Sequence, residues 1–74
     1  MTVKPIQRIV GKNLQRLRRS LGVSQQEVAD AAGVSQSTIS EIENLKHWPE
    51  LVTLENVATA LGIKVTELLQ KPKQ

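Results

Sequence analysis

Apolar residues recur along this chain at spacings of three and four, the pattern of helices that bury one face. Ile6, Val10, Leu14, Leu17 and Leu21 form one such stripe and place a first helix over roughly residues 6–20. Leu21-Gly22 reads as its stop, because glycine accepts the left-handed conformation just past a helix end. Ser24-Gln25-Gln26-Glu27 has the spacing of a capping box, which opens a short second helix through about Ala31 that buries Val28, Ala29 and Ala32. Gly33-Val34 marks a tight turn. Ser35 then serves as N-cap of a third helix running to about Asn44. Pro49 interrupts the pattern, since proline lacks an N–H and disfavours helix at the preceding Trp48. A fourth helix, roughly 51–61, carries Leu54, Val57, Ala58 and Leu61 on one stripe and stops at Gly62. A fifth, about 64–70, offers Val65, Leu68 and Leu69. No alternating run of useful length argues for strands. The expected fold is all-α, a single five-helix domain over residues 8–70 between an N-terminal arm (1–7) and a C-terminal tail (71–74).

Composition narrows the chemistry. With 74 residues, one Trp, and neither Phe nor Tyr, the core has to be aliphatic. The absence of Cys removes disulfides, thiolate metal sites and Cys nucleophiles. A single His, His47, leaves little material for a metal centre or a His-based triad and is expected to be a loop residue. No nucleophile–base pair or phosphate-cradling loop is present, so neither enzymatic activity nor a cofactor is expected. No apolar run approaches the ~18–20 residues of a membrane span, and no secretory leader pattern is visible. A soluble cytoplasmic domain without a membrane partner is the expectation.

Charge is uneven. The formal net charge is +3, with Lys4, Arg8, Lys12, Arg16, Arg18 and Arg19 in the first 19 residues and no acid among them. Residues 20–45 reverse this, carrying Glu27, Asp30, Glu41 and Glu43 without any Lys or Arg. Such a basic segment fits either a solvated helix face or attraction to a polyanion.

Two short helices joined at Ala32-Gly33-Val34 match the helix-turn-helix arrangement, although an ordinary helical hairpin has the same outline. The third helix carries more information. At about 100° per residue, Gln36, Ser37, Ser40, Glu41 and Asn44 fall within roughly 140° of arc, opposite Ile39 and Ile42. One face is aliphatic and the other consists of small polar and amide side chains. A merely solvated face would more usually be rich in Lys and Glu. Side chains of this kind suit the edges of bases: Gln pairs with adenine N6 and N7, Ser with several bases, and Glu accepts from cytosine N4.

With these residues in place, the chain resembles the Cro/C1-type helix-turn-helix family, the phage-repressor and xenobiotic-response-element type of DNA-binding domain. The resemblance rests on residues 11–18 (GKNLQRLR), 22–29 (GVSQQEVA), 33–44 (GVSQSTISEIEN) and 58–69, and covers about residues 8–69. It implies a lambda-repressor-like fold and double-stranded DNA as partner. Gln36, Ser37, Ser40 and Glu41 match base-reading positions of the recognition helix. Gln25, Ser35, Asn44 and Lys46 match backbone-contacting positions, and Arg18 with Glu43 matches a structural ion pair. Trp48 has two readings, a cover over the core or a contact in a homodimer.

Four positions depart from the family pattern. Leu45 replaces a common Gly, so the recognition helix is expected to end through Asn44 in the left-handed region or to extend by a residue. Lys64 stands at a usual polar N-cap, so the fifth helix is expected to start less firmly capped. Glu50 replaces a commoner Ser, and Glu41 adds negative charge to the reading face. The resemblance implies a sequence-specific transcriptional regulator, a repressor and a homodimer. The alternative is an interaction module such as the DNA-binding antitoxin of a toxin–antitoxin pair, with a toxin as protein partner.

Overall fold

The computed structural model describes residues 3–72, and these fold into five helices. They are α1 (Pro5–Leu21), α2 (Gln25–Ala32), α3 (Gln36–Glu43), α4 (Leu51–Ala60) and α5 (Val65–Leu69). α1 begins within the stretch read from sequence as an arm. Pro5 occupies the first helical position, where a missing N–H costs nothing, and the Lys4 N–H donates to Gln7 Oε1 at 2.9 Å.

The core is a single aliphatic cluster to which every helix contributes. Val10 and Leu14 enter it from α1, Val28, Ala29 and Ala32 from α2, and Ile39 and Ile42 from α3. Leu54, Val57 and Ala58 come from α4, and Leu68 from α5. α2 packs on α3 and α4, while α1 lies against α3 and α5. The stripes expected for α2 and α4 are buried throughout. That of α1 is buried only in the middle: Ile6 is 36% and Leu21 55% exposed, because α1 runs past its neighbours at both ends.

Two α1 residues outside the apolar stripe decide how it packs. A Cβ on Gly11 would lie 2.8 Å from Leu45 Cδ2 and 2.9 Å from the Ile42 carbonyl oxygen, so α1 and the end of α3 meet at a distance only glycine permits. Asn13 is 1% exposed. Its Nδ2 donates to the carbonyls of Leu68 (2.8 Å) and Gln70 (2.7 Å), which are otherwise open at the end of α5.

Leu45 corrects one expectation about the end of α3. Asn44 keeps φ −94° and ψ 8°, and Leu45 itself takes the left-handed conformation, with φ 61°. Leucine is strained there, at a cost of about 1–2 kcal/mol. Its side chain nevertheless packs over Gly11, and the N–H groups of Leu45 and Lys46 donate to the Ile42 and Glu41 carbonyls. The start of α5 is also better closed than its Lys64 suggested, because Glu67 Oε1 accepts the Lys64 N–H at 3.1 Å.

Candidate nucleic-acid interface

α2 and α3 are set by their caps. Ser24 Oγ accepts the Glu27 N–H at 3.0 Å, and Glu27 Oε1 accepts the Ser24 N–H at 2.9 Å, completing the expected capping box. Gly33 follows α2 with φ 75°, and the Val34 N–H returns to the Ala29 carbonyl at 3.0 Å. This left-handed turn redirects the chain into α3 within three residues. Ser35 Oγ then accepts the Thr38 N–H at 3.1 Å and shares a 2.9 Å hydrogen bond with Thr38 Oγ1.

With Ile39 and Ile42 in the core, the opposite side of α3 faces solvent. Gln36, Ser37, Glu41 and Asn44 are exposed and Ser40 is half-buried. Together with Lys46 they line one shallow concavity of about 280 Å³. The structure therefore brings together all four residues expected to read bases. A larger cleft of about 480 Å³ lies between the start of α1 and the segment after α5, and shares none of these residues.

Behind the face runs a chain of side-chain hydrogen bonds that joins the expected Arg18–Glu43 pair to Gln25 and Gln36, two links the sequence did not reveal. Arg18 Nε and Nη2 donate to Glu43 Oε2 (2.8 Å) and Oε1 (3.1 Å), a two-pronged pair, while Nη1 donates to the Val23 carbonyl at 3.1 Å. The two side chains are 14% and 2% exposed. The hydrogen bond to the Glu43 carboxylate raises the pKa of Arg18 against the opposing effect of burial. Glu43 Oε1 also accepts from Gln25 Nε2 at 3.1 Å, and Gln25 Oε1 accepts from Gln36 Nε2 at 2.7 Å.

The polarity of this chain follows from its anchor. A carboxylate only accepts, so Gln25 must turn its NH₂ toward Glu43 and its oxygen toward Gln36. Gln36 must then donate to Gln25. Its own oxygen and second N–H make no hydrogen bond among the described residues, and an amide oxygen with an N–H is the pair that matches adenine N6 and N7.

The four residues matched to backbone contacts fare differently. Gln25 is half-buried within the relay. The Ser35 hydroxyl is occupied by the cap, and Asn44 Nδ2 donates to the Ser40 carbonyl (2.9 Å) and Oγ (3.3 Å). Lys46 is exposed and makes no side-chain hydrogen bond or ion pair among the described residues. Arg8, Lys12, Arg16 and Arg19 are all exposed on α1, as is Lys4 just before it, whereas Arg18 turns toward α3. His47 is exposed in the loop after α3. Trp48 is 40% exposed, and it is the neighbouring Pro49 that enters the interior. Leu51 (60%) and Val52 (65%) are exposed next to it in the chain. Among the described residues no helix is long and apolar enough to cross a membrane.

Known proteins carry the same arrangement. The helix-turn-helix family model HTH_3 matches residues 14–68. The restriction-modification controller protein C.AhdI from Aeromonas hydrophila superposes with a TM-score of 0.81 at 32% identity, over 84% of this chain and 94% of that one. A hypothetical transcription factor, NHTF from Neisseria, gives 0.88 at 26% identity over 97% and 83%. The clp gene regulator ClgR from Corynebacterium glutamicum gives 0.83 at 29% identity over 92% and 72%. No curated protein sequence matches. The matched segment spans the capped α2–turn–α3 unit, the Arg18–Glu43 pair and the buried faces of α2 to α5, and the chain belongs to the Cro/C1-type helix-turn-helix family (HTH_3) of DNA-binding transcription regulators.

Proposed function

We propose that this chain acts as a homodimeric repressor that inserts α3 into the major groove of a specific duplex site. The supporting observation is the relay Arg18–Glu43–Gln25–Gln36, which pre-orients one amide of an otherwise polar, uncharged-to-acidic face. Gln36, Ser37, Ser40 and Glu41 read base edges. The α2 N-terminus with Gln25, the Ser35 turn, Asn44 and Lys46 meets the phosphates on either side. Holding a side chain in place before binding removes part of the entropy cost of the contact.

One recognition helix covers only a few base pairs, so useful specificity needs two copies on half-sites one turn, about 34 Å, apart. Trp48, Leu51 and Val52 supply the exposed apolar surface for that pairing. C.AhdI, a restriction-modification controller, is similar over nearly its whole length, which supports the regulator reading. Repression follows from occupancy, because a dimer seated across a promoter occludes polymerase.

The test is binding of the purified protein to the DNA upstream of its own gene, followed by fluorescence anisotropy across a salt series. A steep negative salt slope and an operator with two related half-sites are expected. Trp48→Asp should weaken binding together with dimer formation in analytical ultracentrifugation. If no salt-sensitive duplex binding occurs at micromolar protein, the regulator reading fails and a protein-interaction role replaces it.

A further inference from the structure

We infer that Glu41 makes the exocyclic amine of a cytosine a required feature of each half-site, so that methylation of that amine blocks binding. The inference rests on α3 being the reading helix. It starts from which polar groups on the face are still free. Gln36 is braced by Gln25, and Asn44 is turned back onto Ser40. Glu41 is exposed, and among the described residues its carboxylate has neither a hydrogen-bond donor nor a cation within ion-pairing distance.

An unneutralised carboxylate carried into a groove flanked by phosphates is tolerated only where the groove supplies a donor. Guanine shows only acceptors there, and thymine an acceptor and a methyl group. Adenine has a donor in N6, but its N7 acceptor stands alongside and repels the second carboxylate oxygen. Cytosine N4 is the one donor without an acceptor on the same base edge. The place of that cytosine in the half-site follows from helix geometry. Glu41 lies five residues beyond Gln36, about 7.5 Å along the axis, which is about two base-pair steps of 3.4 Å.

Methylation sensitivity follows from the amine itself. One N4 hydrogen pairs with guanine O6, and the other points into the major groove. A methyl group at N4 that leaves the pairing intact replaces the groove-facing hydrogen. Glu41 would then meet a methyl group in place of its only donor. Methylation at C5 leaves both amine hydrogens in place.

The experiment starts with selection of bound duplexes from a random library by the full chain, using wild type and Glu41→Gln. Affinities are then measured on the selected duplex carrying cytosine, N4-methylcytosine or 5-methylcytosine at the assigned position. A cytosine about two steps from the Gln36 base is expected in each wild-type half-site. N4-methylation should weaken wild-type binding at least tenfold and 5-methylation by less than threefold. Glu41→Gln and Glu41→Ala should lose both the cytosine preference and the sensitivity to N4-methylation, with circular dichroism confirming that they fold. A defined half-site without that cytosine, or equal losses from the two methylations, overturns the role of Glu41 and leaves the reading helix standing. Failure to enrich any sequence overturns the reading-helix proposal itself.

Discussion

Replacing Arg18 with Met should be the most destabilising single change near the interface, and its size can be worked from the pair. The substitution leaves the Glu43 carboxylate, whose side chain is 2% exposed, with Gln25 as its one remaining donor. Removing one partner of a buried pair costs about 3–5 kcal/mol. The lower end applies here, since the Arg18 side chain retains 14% exposure and water can enter where it leaves. A loss of about 3 kcal/mol lowers the midpoint of a domain this size by roughly 12–24 °C. Glu43→Leu should cost less, about 2 kcal/mol, because the guanidinium left behind keeps the Val23 carbonyl and can reach solvent. The double variant Arg18→Met/Glu43→Leu should return to within about 1 kcal/mol of wild type, as matched apolar replacements of buried pairs do. Urea unfolding of the four proteins, followed by circular dichroism, gives the coupling energy directly. Two single variants that unfold like wild type, or a double variant equal to their sum, would refute the strut. The folded double variant should also discriminate operator from random DNA less well, because Gln25 has lost the acceptor that orients it.

The other expectations concern Gln36, Lys46 and Gly11. Gln36→Ala should weaken operator binding by about 1–3 kcal/mol while non-specific affinity stays unchanged in anisotropy titrations; equal losses on both DNAs would remove its base-reading role. Lys46→Ala should flatten the slope of log affinity against log salt by about two units in a dimer, one per subunit, with sequence preference intact. Gly11→Ala should destabilise the fold by about 1–3 kcal/mol, since the new Cβ meets the Ile42 carbonyl oxygen, a backbone atom that cannot rotate away. A Gly11→Ala protein as stable as wild type in urea would show that α1 and α3 separate freely at that crossing.

What the sequence by itself determined is local. The apolar stripe of α4, the Ser24–Glu27 box, the Ser35 cap and the polar arc of α3 all involve residues within one or two helical turns. Backbone geometry alone therefore puts them together, and the structure repeats them. The pairing of Arg18 with Glu43 is implied by family resemblance, and in the structure Arg18 Nε lies 2.8 Å from Glu43 Oε2. Tertiary structure decided what joins distant parts of the chain. Asn13 closes the end of α5 across 55 and 57 residues, and a polar residue inside α1 carries no mark of acceptors so far away. Gln25 reaches Glu43 across 18 residues and Gln36 across 11, so its place in the relay depends on how α2 and α3 cross. The left-handed turn fell on Leu45 rather than Asn44 for the same reason. Conformational preference favours Asn in that region, but the space over Gly11 lies where the half-buried Leu45 side chain reaches it, a contact that offsets part of the backbone strain.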